Sequence, residues 1–593
     1  MGVTSTVLKK DPEADPPREP GADEDGEGSS RLDRRADAMV AALRGWLTDR
    51  RIARLVELLA LIPPIAIVLE VSRSGKLQWL DYWYVLIRLT HPDGSFHLGG
   101  IFTPQNEHPL VIPSLLYWAD AKLADGDNRV LGYAVVVIAA ATVLLMRAAL
   151  PKTLPPVARA GLVVGASALV FSLQGLHMFV RSMSGSAWLT ANLFVVASLL
   201  LAARRKWPAA WAVGFLATAS YGTAFALWPA LALFAAMHKE RWRTRLIPLG
   251  IGGVLIGIWY ILKPHVWVGG APANDIGSLL FTFLTVVGKM WTADNAGWAV
   301  TAGALMLVLY AVLTTNKTAR DPSLRFWWAL AVYGILACGM IATARVDFGV
   351  NFGLTSRYSS LAVIVSIPLL VLLATVFYKG VRRNAQKIAI TVVAIGVVGF
   401  TLGLPTASLL RNEIKAHPLE AIAMAAGYGD ALGPVLPTEA SLQPDLDVLQ
   451  HYPRNGTFSL GCGGPELGST VDLADASELP PPGTRSPKSP TGRIEAVEPA
   501  GEADLITGWA TGGLGEGVDQ VRCTVVVDGD GKIVGAGVSR LTRPDVTAKL
   551  WDLPPDVGFR AIGPVTDETR IVVIYESGAM RWLPAQVSDS GDE

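Results

Sequence analysis

The chain has 593 residues, of which 51% are hydrophobic and only 17% charged, against roughly 25% charged in an average soluble domain. Its 51 basic and 51 acidic residues cancel, so net charge says nothing about a nucleic-acid partner; no Lys/Arg-rich run suggests one, and none is expected. No CxxC, HExxH or P-loop signature occurs, so the sequence implies no metal, no cofactor and no ATP-driven transport; a divalent ion has no support in the motifs.

Residues 1–40 read as a disordered cytoplasmic tail. They are rich in Pro, Gly, Asp, Glu and Arg and nearly free of aromatics, too polar to offset the entropy of ordering. No apolar core follows the early lysines, so the segment is not a signal peptide. Residues 50–405 then carry the apolar runs Leu55–Val71, Val130–Met146, Val157–Leu173, Ala187–Ala203, Trp207–Met237, Leu246–Leu262, Ala299–Thr314, Phe326–Thr343, Leu361–Phe377 and Ile388–Leu404. Most have the about 17–25 residues that a membrane helix needs. The run Trp207–Met237 is too long for one span and is interrupted at Ser220, Tyr221 and Gly222, which predicts a hairpin of two short helices. The expected bundle therefore has about 11 transmembrane helices.

Positive charge sets the orientation. Arg204–Lys206, Lys239–Arg245, Lys317–Arg325 and Lys379–Lys387 fall in alternate loops, together with the N-terminal flank Arg44–Arg54. The positive-inside rule places these loops and the N-terminus in the cytoplasm, and the C-terminal region outside the cell membrane. Segment Ile276–Trp291 is apolar but short, with Lys289 near its end. It reads as an interfacial or re-entrant helix, because counting it as a span would invert every later loop.

The outer loops hold the polar chemistry. The first, 72–128, is long and aromatic, and contains Asp81, Asp93, Glu107, His108 and Asp120. Asp81 lies among aromatics, where a raised pKa suits a general base; an ordinary interfacial Asp accepting a backbone hydrogen bond is the alternative. Glu107 and His108 suit sugar hydroxyls, or equally the cap of the helix that starts near Leu110. Arg181, after Gln174 and His177, and Arg345 and Arg357, flanking the loop 346–356 with Tyr358 adjacent, suit a phosphate gripped by guanidinium groups. Pairing with lipid phosphate or Asp347 is the other reading. Lys289 is a further candidate cation.

The layout resembles the GT-C class of membrane glycosyltransferases, which includes the protein mannosyltransferases, the aminoarabinose transferase of lipid A and the mycobacterial arabinofuranosyltransferases. The resemblance covers residues 50–405. Asp81 matches the acidic position shortly after the first span, and Asn106-Glu107-His108 and Ser356-Arg357-Tyr358 resemble motifs of bacterial members. The hairpin at Trp207–Met237 and an extracytoplasmic C-terminal domain are also similar. Asp81 is followed by Tyr82 rather than a second acid, a departure from the paired acidic motif of many members and from their metal-dependent mechanism. The resemblance implies transfer of a sugar from a polyprenyl-phosphate-linked donor to an envelope glycan or lipid acceptor, at the outer face of the bilayer.

Residues 406–477 read as an extracytoplasmic helical segment leading away from the membrane, and 478–491 as a Pro/Ser/Gly-rich linker. Residues 492–593 carry the β-like runs Arg493–Val497, Leu505–Ala510, Gln520–Val527, Lys532–Ser539, Arg570–Tyr575 and Met580–Leu583, with a hairpin turn at Asp528–Gly531. That spacing predicts a β-sandwich. Its pattern around Trp509, Arg543–Val546 and Gly558–Phe559 resembles accessory domains of bacterial glycan enzymes, and Trp509 is either a sugar-stacking platform or a core residue. Cys338 reads as a small apolar filler, whereas Cys462 and Cys523 are a candidate disulfide in an oxidising compartment.

The sequence thus points to a membrane glycosyltransferase. A transporter or flippase for a lipid-linked glycan fits less well, because the spans carry little charge at mid-membrane. A non-catalytic glycan-binding envelope scaffold is the third reading. High Ala, Gly and Arg usage is in keeping with an actinobacterial, high-GC source.

Overall fold

The computed structural model describes residues 49–76, 78, 80–105, 107–263, 275–292, 294–380, 384–416, 419, 422, 423, 426, 428, 466–474, 476–480, 489–513, 519–549 and 556–584. Among these, nine helices are long and apolar enough to cross a membrane: Arg50–Arg73, Asn128–Ala149, Pro156–Val180, Ser182–Ala203, Trp242–Leu262, Ala296–Thr315, Pro322–Phe348, Ser356–Lys379 and Ala385–Arg411. This is the architecture of a multi-pass membrane protein. The tail 1–40 lies outside the described residues. Nine of the expected apolar runs coincide with these helices, against the about 11 spans expected, because the two halves of 207–237 are each shorter than a membrane-crossing helix.

Local chemistry sets the ends of the helices. Asp127, Asp275, Asn295 and Asn384 each accept backbone N–H groups at a helix start, satisfying donors that have no intrahelical partner. Proline occupies a first-turn position in the helices beginning at Pro156 and Trp207, where its missing N–H costs nothing.

The long run 207–237 breaks where the sequence is interrupted. One helix spans Trp207–Thr218, Tyr221 is extended, and a 3-10 turn at Gly222–Ala226 leads into Leu227–Met237. The two halves bring the basic loops Arg204–Lys206 and Lys239–Arg245 to one end. There Arg205 pairs with Glu240 at 3.6 Å, and Lys379 pairs with Asp321 at 2.8 Å.

Segment Ile276–Trp291 is a 13-residue helix, Ile276–Gly288, followed by a 3-10 turn. It is short, as expected, but it is packed into the bundle. Its Gly288 lies against the backbone of the Ala296–Thr315 helix: a Cβ there would stand 1.9 Å from the Ala299 carbonyl oxygen, and one on Gly303 would stand 2.2 Å from that of Leu284. Lipid supplies no hydrophobic drive between helices, so such close backbone contact through small residues carries the association.

The segment from 406 is helical at its start, as expected, but that helix, Leu404–Ala416, continues the last candidate span rather than following it. It is tied back to the bundle, however: Arg411 grips Glu70 with both nitrogens, at 2.6 and 3.0 Å. Most of residues 417–465, including Cys462, lie outside the described residues.

The C-terminal strands are β1 (Ser477–Glu478), β2 (Thr491–Ala500), β3 (Ala503–Thr511), β4 (Val521–Val527), β5 (Ile533–Leu541), β6 (Gly558–Gly563), β7 (Arg570–Tyr575) and β8 (Met580–Pro584). They form one sheet in the order β1-β8-β7-β4-β5-β6-β3-β2, a half-barrel and not the expected two-sheet sandwich. Short alternating strands fit either form; here register shifts in the β2–β3, β4–β5, β4–β7 and β5–β6 pairs curl a single sheet, since bulges bend and twist the strands that carry them. The hairpin turn is as predicted, Asp528 Oδ1 accepting from the N–H groups of Asp530 and Lys532. Strands β1 and β6 escaped the sequence reading, being only two residues long and glycine-flanked respectively. Cys523 on β4 is disulfide-bonded, and Cys338 is free and buried.

Gly288→Leu is expected to lower the melting temperature of the detergent-solubilised protein by several degrees, since overpacking against backbone costs about 1–3 kcal/mol or more. Gly250→Leu is the control, because nothing lies within 4 Å of a Cβ there. Equal melting temperatures for the two variants would contradict the close-packing account.

Candidate functional site

The site forms at the end of the bundle opposite the basic loops. The Arg325–Arg345 helix has its first residue near Arg205 and His238 and its last near Glu107 and His108. At 1.5 Å per residue these ends lie about 30 Å apart, the thickness of a bilayer hydrocarbon core.

The loop 72–128 supplies one wall. Its helix Leu80–Arg88 buries Tyr82, Val85 and Leu86 on one face, and Leu89 just past its end continues the same period. Asp81 stands in its first turn, where the helix dipole favours a carboxylate, and accepts a hydrogen bond from Gln105 Nε2 at 3.0 Å. The chain then doubles back: Gln105 and His108 exchange backbone hydrogen bonds at 3.0 and 2.9 Å, a tight turn that presents Glu107 and His108 side by side. Arg88 braces this turn by donating to the Pro104 carbonyl at 2.7 Å, and Trp259 Nε1 donates to the Glu107 carbonyl at 2.6 Å.

Arg345 supplies the second wall. It pairs with the Glu107 carboxylate, and its Nη2 lies 3.5 Å from His108 Nε2. His108 stacks on Tyr221, with ring centroids 4.1 Å apart, and Tyr221 in turn packs against Trp188. Beyond Arg345 the chain turns three times through 3-10 segments to Ser356–Tyr358. Arg357 there lies over the rings of Phe352 and Tyr358. Its charge bears on Asp81, His108, His177 and Tyr221 together. Arg181 Nη1 meets His177 Nε2 at 3.1 Å.

Thus Asp81, Glu107, His108, Arg181, Arg345, Arg357 and Tyr358, spread over almost 280 positions of sequence, converge on one place. Two candidates do not join them. Lys289 is fully buried and pairs with Asp294, which also accepts from Thr406. Trp509 is 3% exposed and packed with Val546 and Val557, which makes it the core residue of the two readings and leaves no ring face for a sugar. Arg543 close by grips Glu495 and Asp545.

The electrostatics divide the labour. Burial raises the Asp81 carboxyl above its ordinary range, against the opposing pull of Gln105, Arg357 and Arg88. Burial also raises Glu107, but the pull of its neighbours His108 and Arg345 outweighs it and holds Glu107 below the usual carboxylate value, Arg345 being the one charged at pH 7. His108 is itself pushed down to about 4, chiefly by burial, with Arg345 and Arg357 adding to this and Glu107 opposing. It is neutral at pH 7, so Arg345 is the partner that keeps Glu107 ionised. Tyr358 Oη and His177 Nδ1 are buried without a hydrogen-bond partner, an arrangement that a polar ligand would relieve. Among the described residues no group of three or more His, Cys, Asp or Glu is arranged to hold a metal ion.

Behind the site lies a carboxyl of different character. Asp120 accepts from Tyr82 Oη at 2.8 Å and Gln78 Nε2 at 3.0 Å, joining the helices Leu80–Arg88 and Val111–Leu123. Burial raises it to about 7, although both hydrogen bonds favour ionisation. Gln105, Arg88, His177, Trp188 and Tyr221 complete the site without having been singled out as site residues from the sequence.

Comparison with known protein families, with characterised proteins and with solved structures gives no match. The site's geometry therefore carries the functional argument alone.

Because the folded value for Asp120 lies above the ordinary one, its contribution to stability is complete below pH about 4 and is lost as pH rises through about 7. Wild-type protein should lose thermal stability between pH 5 and 9 more steeply than Asp120→Asn, which keeps both hydrogen bonds without the charge. Parallel melting curves against pH would show that Asp120 is not protonated in the fold.

Proposed function

We propose that this chain is a membrane glycosyltransferase of GT-C type. It moves a sugar from a polyprenyl-phosphate donor to an envelope glycan or lipid acceptor on the outer face of the cell membrane. The observation that carries this reading is the convergence of a partly buried carboxyl, Asp81, with two arginines, Arg345 and Arg357, and the polar pair Glu107–His108, at one end of an apolar bundle.

Each part has a role. Asp81 takes the proton from the acceptor hydroxyl as its oxygen bonds to the anomeric carbon. The bond from that carbon to the donor phosphate breaks, and the phosphate leaves with the electron pair. Arg345 and Arg357 hold it and balance its charge, as preorganised donors do at a developing anion. Neutral His108 both donates to and accepts from sugar hydroxyls, ionised Glu107 accepts from them, and Tyr221 and Trp188 offer ring faces. Arg181 and Tyr358 widen the polar surface on the phosphate side. No protein-bound cofactor enters these steps.

The orientation follows from charge: the N-terminus is cytoplasmic and the C-terminal domain extracytoplasmic. The disulfide on Cys523 supports this, since such bonds persist in oxidising compartments. In this reading residues 50–405 are the catalytic bundle, 406–477 a connecting segment, 478–491 a linker and 492–593 an accessory domain.

The test is transfer in proteoliposomes from a panel of radiolabelled polyprenyl-phosphate sugars. Asp81→Asn should lower kcat by about 10²–10⁴-fold, the range of general-base catalysis, with the folded bundle intact. The acid limb of the wild-type pH profile should lie above the ordinary carboxylate range, because Asp81 must be ionised to act. Full activity in Asp81→Asn would remove the base from this residue and direct attention to Glu107.

A further inference from the structure

A second polar cavity lies at the other end of the bundle. It measures about 180 Å³ and is lined by Arg50, Arg54, Arg147 and Arg159 with one acid, Glu57. A single water needs only about 10–15 Å³ on this measure, so a larger polar group fits. Arg147 is already committed to Glu57 through both its Nε and Nη2. Among the described residues, that leaves Arg50, Arg54 and Arg159 without an acid partner on the lining, and the Arg159 Nε is buried without a hydrogen-bond partner. Arg159 also stands in the first turns of the helix Pro156–Val170, whose positive dipole end adds to the field.

The cavity opens beside a lipid-facing lane. From Arg54 the exposed residues Leu58, Ile62, Ile65 and Leu69 follow at 59, 60, 56 and 51% exposure, each three or four positions on, so they form one stripe of the Arg50–Arg73 helix. On the neighbouring Asn128–Ala149 helix, Leu144 and Val137 lead away from Arg147 at 62 and 67% exposure. Cationic cavity and apolar lane together match an amphiphile: an anionic headgroup in the arginines and its acyl chains down the stripe.

We infer that this cavity binds the phosphate of an anionic phospholipid in the leaflet opposite the candidate active site. The inference uses the membrane architecture and is independent of glycosyl transfer.

The full-length protein in neutral detergent is titrated with dioleoyl phosphatidylglycerol or dioleoyl phosphatidylcholine, and bound lipid is counted by native mass spectrometry. Wild type should prefer phosphatidylglycerol. Arg54→Gln/Arg159→Gln, which keeps the Arg147–Glu57 pair, should weaken that binding about 25-fold, at about fivefold per arginine, and leave phosphatidylcholine unchanged. A measurement without variants checks the same point: raising salt from about 50 to 500 mM should weaken phosphatidylglycerol binding alone. Equal binding of the two lipids by wild type, or selectivity that survives both the double substitution and high salt, would overturn the inference. So would full displacement by millimolar inorganic phosphate, which would assign the cavity to a soluble phosphate compound.

Discussion

An arginine at the end of a helix as long as a bilayer is thick must find an anion or water, because hydrocarbon offers it neither. Arg345 finds Glu107. That pair joins two segments separated by more than 200 positions and closes the loop 72–128 over the end of the bundle. Everything chemical about the site depends on it. It holds Glu107 ionised, sets His108 against Tyr221, and fixes the turn whose other limb, Gln105, reaches Asp81. Truncating either partner leaves a half-buried charge alone, a larger penalty than the pair's net contribution.

The bundle and the site make opposite demands on the chain. Within the spans helical hydrogen bonds satisfy the backbone and the side chains are mostly apolar or small. Titratable groups are therefore driven to the ends, where they fall into two populations. One end gathers Arg345, Arg357, Arg88 and Arg181 around two carboxylates and two histidines, all held by packing and hydrogen bonds. The other end carries long basic side chains of the loops, half-exposed and paired with single acids such as Asp321 and Glu240.

Much of this was legible in the sequence. Hydrophobic run length gave the long helices, and the interruption at Ser220–Gly222 located the hairpin break. Polar residues in otherwise apolar outer loops pointed to Asp81, Glu107, His108, Arg345, Arg357 and Arg181. Their mutual contacts were not legible, since nothing in a one-dimensional pattern says that residue 345 faces residue 107. Trp188 and Tyr221 looked like ordinary helix and break residues; their role depends on which face the bundle turns toward the loop. Lys289 shows the reverse case, a charge in an apolar segment that Asp294, five residues on, neutralises locally. In the C-terminal region the strands were legible, but the choice between one curled sheet and two stacked ones lay in bulges that composition does not encode.

The broken hairpin at 207–237 also acts on the lipid around it. Its first helix has 12 residues, about 18 Å of rise, against a hydrocarbon core of about 30 Å. Phe215 and Leu233 of the two halves are exposed, so this short wall borders the bilayer itself. Hydrophobic mismatch of that size is met by local thinning. On the proposed reading of the site, such thinning beside Tyr221 would shorten the path of an amphiphile from the membrane plane to the Glu107–His108 turn.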